Sequence, residues 1–353
     1  MGNTEEKVLI VSAVPSLGWK AARSLAQTGR AVYFAGPRGL PGREWMPYWR
    51  RYYELHRLRW ADRDRVDPVV LEEIGDLCRE LEIDVVVPSD WPTTVLLGES
   101  ERAFGRRPFA IAPIDTLLSL HDKWEFSRLL HRIGVPQPRT LLGTQLAELA
   151  EMRFPVLTKP RNSSNSRGIV VHPTATALRQ HVAGMSHGEL SQTIVQEFIG
   201  GEDVTVTILA DRGRLVGLGA ALPKRWRRLF FRNPDLQAMV ERIVAESGYH
   251  GPGHFDFRTD AERRNFWAIE CNPRLNGSVV YFARAGLNVV DLALRLSNLE
   301  QIEGVSWPRS GLRLLEPSDI ATGVYMTALM HAARRGLLPA HLVQRQVPER
   351  VSA

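Results

Sequence analysis

Cysteine is nearly absent: Cys78 and Cys271 are the only two among 353 residues. Two thiols make no disulfide framework, and both fall in apolar patterns, which predicts buried, reduced thiols in a cytoplasmic protein. No apolar run is long enough to span a bilayer, so no membrane partner is expected. Val8–Pro15 has no basic segment before it and a helical pattern after it, which predicts no signal peptide. The first strand-to-helix turn, Ser12 to Gly18, contains neither GxGxxG nor GxxxxGK[ST]. That argues against a dinucleotide or P-loop site there, and against a nicotinamide-dependent oxidoreductase. Internal repeats and low-complexity segments are missing as well.

What is present is a globular composition, 44% hydrophobic and 24% charged, with length for two or three lobes. The formal charge of +6 comes mostly from arginine, clustered at Arg50-Arg51, Arg225-Trp226-Arg227-Arg228 and Arg334-Arg335. Acidic residues are interspersed almost everywhere. The balance therefore fits a taste for acidic, phosphorylated or carboxylate ligands better than a nucleic-acid surface.

Lys7–Ser12, a helical pattern over Gly18–Gln27 and Ala31–Ala35 make a β-α-β opening, which favours a parallel sheet. The aromatic, basic stretch Trp45–Trp60 reads as loop and strand against that sheet. Val69–Leu81 is an amphipathic helix and Ile83–Pro88 an apolar strand. Ligands of open α/β sheets gather at carboxyl edges, which makes Asp90 a candidate substrate contact. Ile111-Ala112 predicts a further strand. His121-Asp122-Lys123 opens a helix burying Trp124, Leu129, Leu130 and Ile133 and closed by Gly134. Phe154–Lys159 and Ile169–His172 flank a polar loop, RNSSNSRG. Such a loop offers N–H groups to anions or is a plain surface turn, and Lys159 at its mouth favours the anion. Ile194–Ile199 ends at Gly200-Gly201 and suits either a core strand or a slot for a flat base. Val204–Ala210 and Leu215–Ala220 form a hairpin, and Asp319–Arg335 a helix before a polar tail.

The organising stretch is Gly253–Gly277, GHFDFRTDAERRNFWAIECNPRLNG. Phe255 and Phe257 alternate with His254, Asp256 and Arg258. Trp267, Ile269 and Cys271 alternate with Ala268, Glu270 and Asn272. A period of two sets apolar and polar residues on opposite faces. A turn centred on Arg263 puts Asp256 across from Glu270, each seven residues away. Asn272 comes next on the same face. Two carboxylates and an amide oxygen suit a hard cation such as Mg²⁺. A solvated hairpin face reads the same way, but the segment after Glu270 shifts the balance. Arg274 presents a guanidinium, and Ser278 is placed to cap a helix starting near Val279, an anion-binding arrangement.

These pieces, in this order, resemble the ATP-grasp superfamily, most closely its carboxylate–amine or thiol ligases. The likeness covers roughly residues 5–300, with HDKWEFSRLLHRIGVPQPRT, FPVLTKP, IVQEFIGGEDVTVTIL, HFDF and IECNPRLNGS carrying it. The implied fold is α/β, with α+β character in the ATP-binding part. A Rossmann-like parallel-sheet lobe spans 1–116 and the ATP-grasp domain 117–300. Within the latter, about 140–200 is a lid and about 201–300 an antiparallel metal and substrate subdomain; 301–353 is a helical extension and tail. The resemblance implies ATP with one or two Mg²⁺, Mn²⁺ being able to substitute. It assigns Lys123 and Lys159 to phosphates, and Ser163, Ser164, Ser166 and Gly168 to the loop over them. Gln196, Glu197 and the backbone near Ile199 meet the adenine, and Asp203, or else Glu202, the ribose. Asp256, Glu270 and Asn272 hold the metal, and Arg274 contacts the transferred phosphoryl or acyl phosphate.

The implied reaction activates a carboxylate as an acyl phosphate, releases ADP and joins an amine to form an amide. Arg274 and Lys159 act at the reacting centre. The acid and amine are small molecules, and a homodimer is a common expectation in that family. Asp90, Lys224, Arg225, Arg274 and Ser278 are candidates for substrate contact, although Lys224–Arg228 also fits a solvated loop. No general base stands out, and His254 fits a structural role as well as that one. The sequence departs from the family pattern in two ways: its lid loop holds only Gly168, and Asp stands where the longer Glu is usual. The glycine-poor lid keeps open a second reading, a nucleotide-binding module without turnover that acts as a sensor or partner subunit.

Overall fold

The computed structural model describes residues 5–40, 47–58, 66–99, 109–163, 166–224 and 227–315. Ser164, Arg225, Trp226, the helix expected over 319–335 and the tail after it lie outside the described residues, and only the backbone of Lys224 is described. The chain divides into two compact units. One joins 1–137, 200–222 and 230–312; the other joins 138–199, 223–229 and 313–353.

The first unit begins as a β-α-β repeat. Strand β1 (Lys7–Val11), helix α1 (Pro15–Leu25), β2 (Ala31–Pro37), β3 (Tyr52–Leu55), α2 (Val70–Leu81), β4 (Val85–Pro88) and α3 (Trp91–Gly98) come in turn. The four strands are parallel, in the order β3-β2-β1-β4. Val8, Leu9, Ile10 and Val11 are wholly buried, as an inner parallel strand covered on both faces requires. No strand forms at Ile111-Ala112. The Ala110 N–H bonds instead to Ser297 Oγ at 3.0 Å, and Pro113 stands at the N-cap of α4 (Ile114–His121).

Helix α5 (Lys123–Arg132) starts where Asp122 Oδ1 accepts the N–H groups of Trp124 and Glu125 at 2.9 and 3.2 Å. It buries Phe126, Leu129 and Leu130, while Trp124 and Ile133 remain half-buried. The boundary expected near 117 thus lies inside a compact unit. The reason is packing: α4 and α5 lie against the strand Phe266–Asn272, and Phe126 stacks on Phe255 with centroids 6.0 Å apart.

The second unit holds β5 (Thr140–Leu142), a 3₁₀ turn at Leu146–Glu151, β6 (Val156–Pro160), β7 (Val170–His172), α6 (Ala175–Val182), α7 (His187–Ser191) and β8 (Thr193–Glu197). Its sheet is antiparallel, in the order β5-β8-β6-β7. One face packs Val156 and Val195 against Leu178 and Val182 of α6.

The chain then runs through β9 (Glu202–Asp211), β10 (Arg214–Lys224), β11 (Arg227–Phe231), α8 (Pro234–Ser247), β12 (Gly251–Thr259), β13 (Phe266–Asn272), α9 (Val279–Arg284), α10 (Val289–Ser297) and β14 (Arg313–Leu315). In the first unit β13, β12, β9 and β10 are antiparallel neighbours in that order. In the second, Arg227–Leu229 pair with Arg313–Leu315. Arg30 ion-pairs with both Glu6 and Asp291, tying the parallel sheet's edge to α10. At the start of β9, Gly201 takes φ +97, and a Cβ there would sit 2.1 Å from Thr259 O. Only glycine fits that approach.

Candidate active site

The β12–β13 hairpin sets the site. Asp256 pairs with Glu270, Phe255 with Cys271 and His254 with Asn272, the register argued from the turn. Toward the turn the register slips by one, so that Phe257 faces Ala268 and Arg258 faces Trp267. Ile269 is the extra residue of a β-bulge. This corrects the simple alternation expected for β13. Phe266, Ala268 and Cys271 form the buried face, whereas Trp267 is half-buried opposite Arg258, on the same side as Asp256.

The next strand extends the polar face. Thr205 of β9 pairs with Asp256, Thr207 with His254, and Asp203 with Arg258. Neither threonine stands out in the sequence, because their part in the row depends on which strands pair. Asn272 Nδ2 reaches Asp256 Oδ2 and Glu270 Oε1, both at 3.3 Å, while its Oδ1 accepts Arg274 Nη2 at 3.1 Å. Lys123 Nζ lies 3.4 Å from Glu270 Oε2, and its side chain is only 5% exposed. Five side chains from two strands, a loop and a helix start are therefore linked.

The electrostatics come from this crowding. Burial works to raise the Asp256 carboxyl, but His254 and Arg274 outweigh it and hold it below the ordinary carboxylate range. Its side chain is still 39% exposed, so an ionised carboxylate faces solvent. Burial pulls the Arg274 guanidinium down, against Asp90, Glu270 and Asp256, which favour its charge. From so high an ordinary value it stays a cation. Burial pushes the Cys271 thiol well up, helped by Glu270 and Asp256; both cysteines are buried and neither is in a disulfide.

Two carboxylates and an amide on one partly exposed face fit a hard divalent cation completed by phosphate and water. Among the described residues no three His, Cys, Asp or Glu side chains cluster as metal ligands. The oxygen beside the two carboxylates comes from the Asn272 amide, whose Oδ1 accepts from Arg274.

Other expected residues sit differently. Asp90 is 1% exposed and caps α3. Its Oδ2 takes Ser12 Oγ at 3.0 Å and the Val14 N–H at 2.8 Å, and its Oδ1 takes the Thr93 N–H and hydroxyl at 3.1 and 2.8 Å. It is a structural cap rather than a substrate contact. The next residue, Trp91, stacks on His121 with centroids 3.8 Å apart. Burial, then Lys123 and Arg274, drive the His121 pKa down to about 3. Ser278 does precede α9, but its side chain makes no cap; Asn276 Oδ1 accepts the Ser278 N–H at 3.1 Å instead. Asp203 is ion-paired with Arg258, and Glu202 starts β9.

In the second unit, Lys159 pairs with Ile194, Leu157 with Gln196 and Val171, and Thr140 with Gln196. These residues share the face opposite α6. Lys159 and Gln196 are 3% exposed, and Gln196 Nε2 bonds to Thr140 Oγ1 at 2.9 Å. Glu197 pairs with Val156 on the helix-covered face, where its Oε1 accepts the Arg153 N–H at 2.7 Å. Its side chain therefore cannot meet the same ligand as Gln196, which corrects the joint assignment; only its backbone remains available. Ile199 is half-buried beyond the strand end. In the loop, Ser163 Oγ lies 3.4 Å from Pro160 O, Ser166 takes φ +55, and Gly168 packs on Pro160 at φ +73. A serine thus adopts a turn geometry that glycine usually provides.

Residues 189–319 match the family model described as ATP-grasp in the biosynthetic pathway with Ter operon, and 120–222 match that of the ATP-grasp domain. Phosphoribosylamine–glycine ligase of Synechocystis sp. is 24% identical over 161 residues, 42% of this chain and 38% of that one. D-alanine–D-alanine ligase of Ectopseudomonas mendocina is 26% identical over 174 residues, 43% of this chain and 54% of that one. The chain thus spans about half or less of these curated relatives. L-amino acid ligase from Bacillus licheniformis superposes with TM-score 0.62 at 18% identity, over 84% of this chain and 75% of that one. The biotin carboxylase domain of Hydrogenobacter thermophilus 2-oxoglutarate carboxylase, solved with MgADP, ADP and bicarbonate, gives 0.65 at 16%, over 85% and 71%. Among the described residues no helix is long and apolar enough to cross a membrane. The two family matches together span residues 120–319, the first of them covering the β12–β13 hairpin, and with the fold shared the chain belongs to the ATP-grasp superfamily.

Proposed function

We propose that this chain is an ATP-dependent ligase that activates a small-molecule carboxylate as an acyl phosphate and joins it to an amine. The observation that supports this most is the linked set Asp256, Glu270, Asn272, Arg274 and Lys123 on paired strands. Asp256, Glu270 and Asn272 would hold Mg²⁺, which supplies charge neutralisation along the triphosphate. Lys123 adds positive charge to the hairpin site, and Lys159 is the phosphate-binding candidate of the other unit's own sheet. The exposed Val171 and half-buried Leu157, on the Gln196 face, offer apolar surface to a flat base.

In the first step a carboxylate oxygen attacks the γ-phosphorus, the bond to the bridging oxygen breaks, and ADP leaves. In the second the amine nitrogen attacks the acyl carbon, the C–O bond breaks, and inorganic phosphate leaves with the proton passing to solvent. Arg274, fixed by Asn272 Oδ1 and by Leu275 O at 3.0 Å, presents a guanidinium suited to bidentate contact with the acyl phosphate. The work is orientation and charge compensation rather than proton transfer.

The test is a screen of carboxylate and amine pools with MgATP, reading phosphate and ADP release. Release that needs both an acid and an amine, with an amide product by mass spectrometry, supports the reading. Tight nucleotide binding with no release in any pool replaces it with a non-catalytic module.

A further inference from the structure

His254 is an ionisable group on the site face that the proposed reaction does not use. It pairs with Asn272 on one side and Thr207 on the other, and its side chain is 9% exposed. Two residues before Asp256 on one strand, it shares that residue's face. Its Nε2 lies 2.9 Å from Asp256 Oδ1, whereas Asp256 Oδ2 faces Asn272 Nδ2 at 3.3 Å. The two oxygens of Asp256 are therefore inequivalent: one is held by the imidazole, the other is turned toward Asn272 and Glu270.

The far side of the ring explains the direction of that bond. His254 Nδ1 is buried and has no hydrogen-bond partner, and neither has the Thr207 hydroxyl across from it. Behind them the wall is apolar, since Gly219, the partner of Thr207 on β10, lies against the ring of Phe282. A proton on Nδ1 would be a sealed donor with no acceptor, which is costly. The favoured tautomer carries its hydrogen on Nε2 and donates to Oδ1. With Nε2 committed and Nδ1 sealed, the ring has no atom left to serve as a general base toward substrate.

We infer that His254 is a positioning residue that fixes the rotation of the Asp256 carboxylate, so that Oδ2 rather than Oδ1 is offered beside Glu270. The inference rests on the reading of Asp256 and Glu270 as cation ligands. Partners that orient a ligating carboxylate commonly change metal affinity by about 10- to 100-fold when removed.

The experiment measures binding of Mn²⁺, in the presence of ADP, by the electron paramagnetic resonance signal of the free ion. The full chain is compared with His254→Phe, which keeps a ring but no donor, and His254→Gln, whose amide N–H can reach Oδ1. Loss of about 10- to 100-fold in Mn²⁺ affinity for His254→Phe, with most of it restored in His254→Gln, supports the inference. In turnover assays the concentration of metal needed should rise with it while the KM for ATP stays put. If His254→Phe fails to unfold cooperatively, His254→Asn, too short to reach Oδ1, takes its place against His254→Gln. Unchanged Mn²⁺ affinity in the donor-less variant, or equal loss in both, overturns the positioning role while leaving the metal site standing. Absence of any nucleotide-dependent Mn²⁺ binding in the parent protein overturns both.

Discussion

The β12–β13 hairpin of one unit and the β5-β8-β6-β7 sheet of the other carry charged groups in opposite styles. On the hairpin, acids, amide and bases bond to one another across adjoining strands, so each side chain's rotamer depends on its neighbours. In the other sheet, Gln196 bonds to Thr140, Glu197 to the Arg153 backbone, and the edge strand β7 leaves Val170 and Val171 38% and 47% exposed. Oxygens that must stand a fixed distance apart sit on the paired strands of one hairpin, where the backbone register fixes spacing. Surface suited to a sliding, apolar ligand sits on an edge, where few bonds oppose its arrival and departure.

The hardest blow to this contrast is Glu270→Gln. Within the proposed reaction it keeps the shape but removes a charge shared with Lys123, and turnover should fall about 10³-fold with the thermal midpoint little changed. Full retained activity in a phosphate-release assay would move the chemistry off the hairpin. Gly201→Ala comes next, because its Cβ would collide with Thr259 O at 2.1 Å in a left-handed backbone. A loss of about 3 kcal/mol is expected from urea midpoints.

His121 gives a smaller, pH-dependent effect. Its folded-state pKa is lowered from 6.5 to about 3, so between those values the unfolded chain holds a proton that the native one lacks. Stability should therefore fall as pH drops through that window, by up to about 1.4 kcal/mol per pH unit. His121→Phe, keeping the stack on Trp91, should flatten denaturation midpoints measured from pH 6 to pH 4. A slope left intact would assign it to another group.

The finest distinction lies between two consecutive residues. Gln196→Leu should raise the KM for ATP about tenfold with little change in stability. Glu197→Gln should cost about 1 kcal/mol of stability and leave that KM alone, since its carboxylate faces the helices. The reverse outcome would mean that the nucleotide approaches the helix-covered face.

How much of the molecule is legible in its sequence depends on the range of the interaction. Asp256 opposite Glu270 is legible because a hairpin's register derives from its turn, a local property. The Asp122 cap of α5 is legible for the same reason, and α8 also shows local signals in Asn233, Pro234 and the left-handed Gly248. The side of Trp267 is not, because a bulge leaves no mark in an apolar–polar pattern. Asp90 cannot be separated into ligand contact or cap, since both sit at a strand's carboxyl end. Which face of β8 the helices cover depends on α6, a tertiary fact outside the strand itself.

The extra residue at Ile269 has a consequence of its own. It divides β13 into two halves whose alternation is out of phase, so each half answers to a different demand. Substitutions near Phe266 can tune how the turn-proximal end packs without rotating Glu270 and Asn272 out of alignment. Deleting Ile269 would do the opposite: it would leave an ideal strand with its two ends locked in step, able to satisfy the interior or the chemistry but not both.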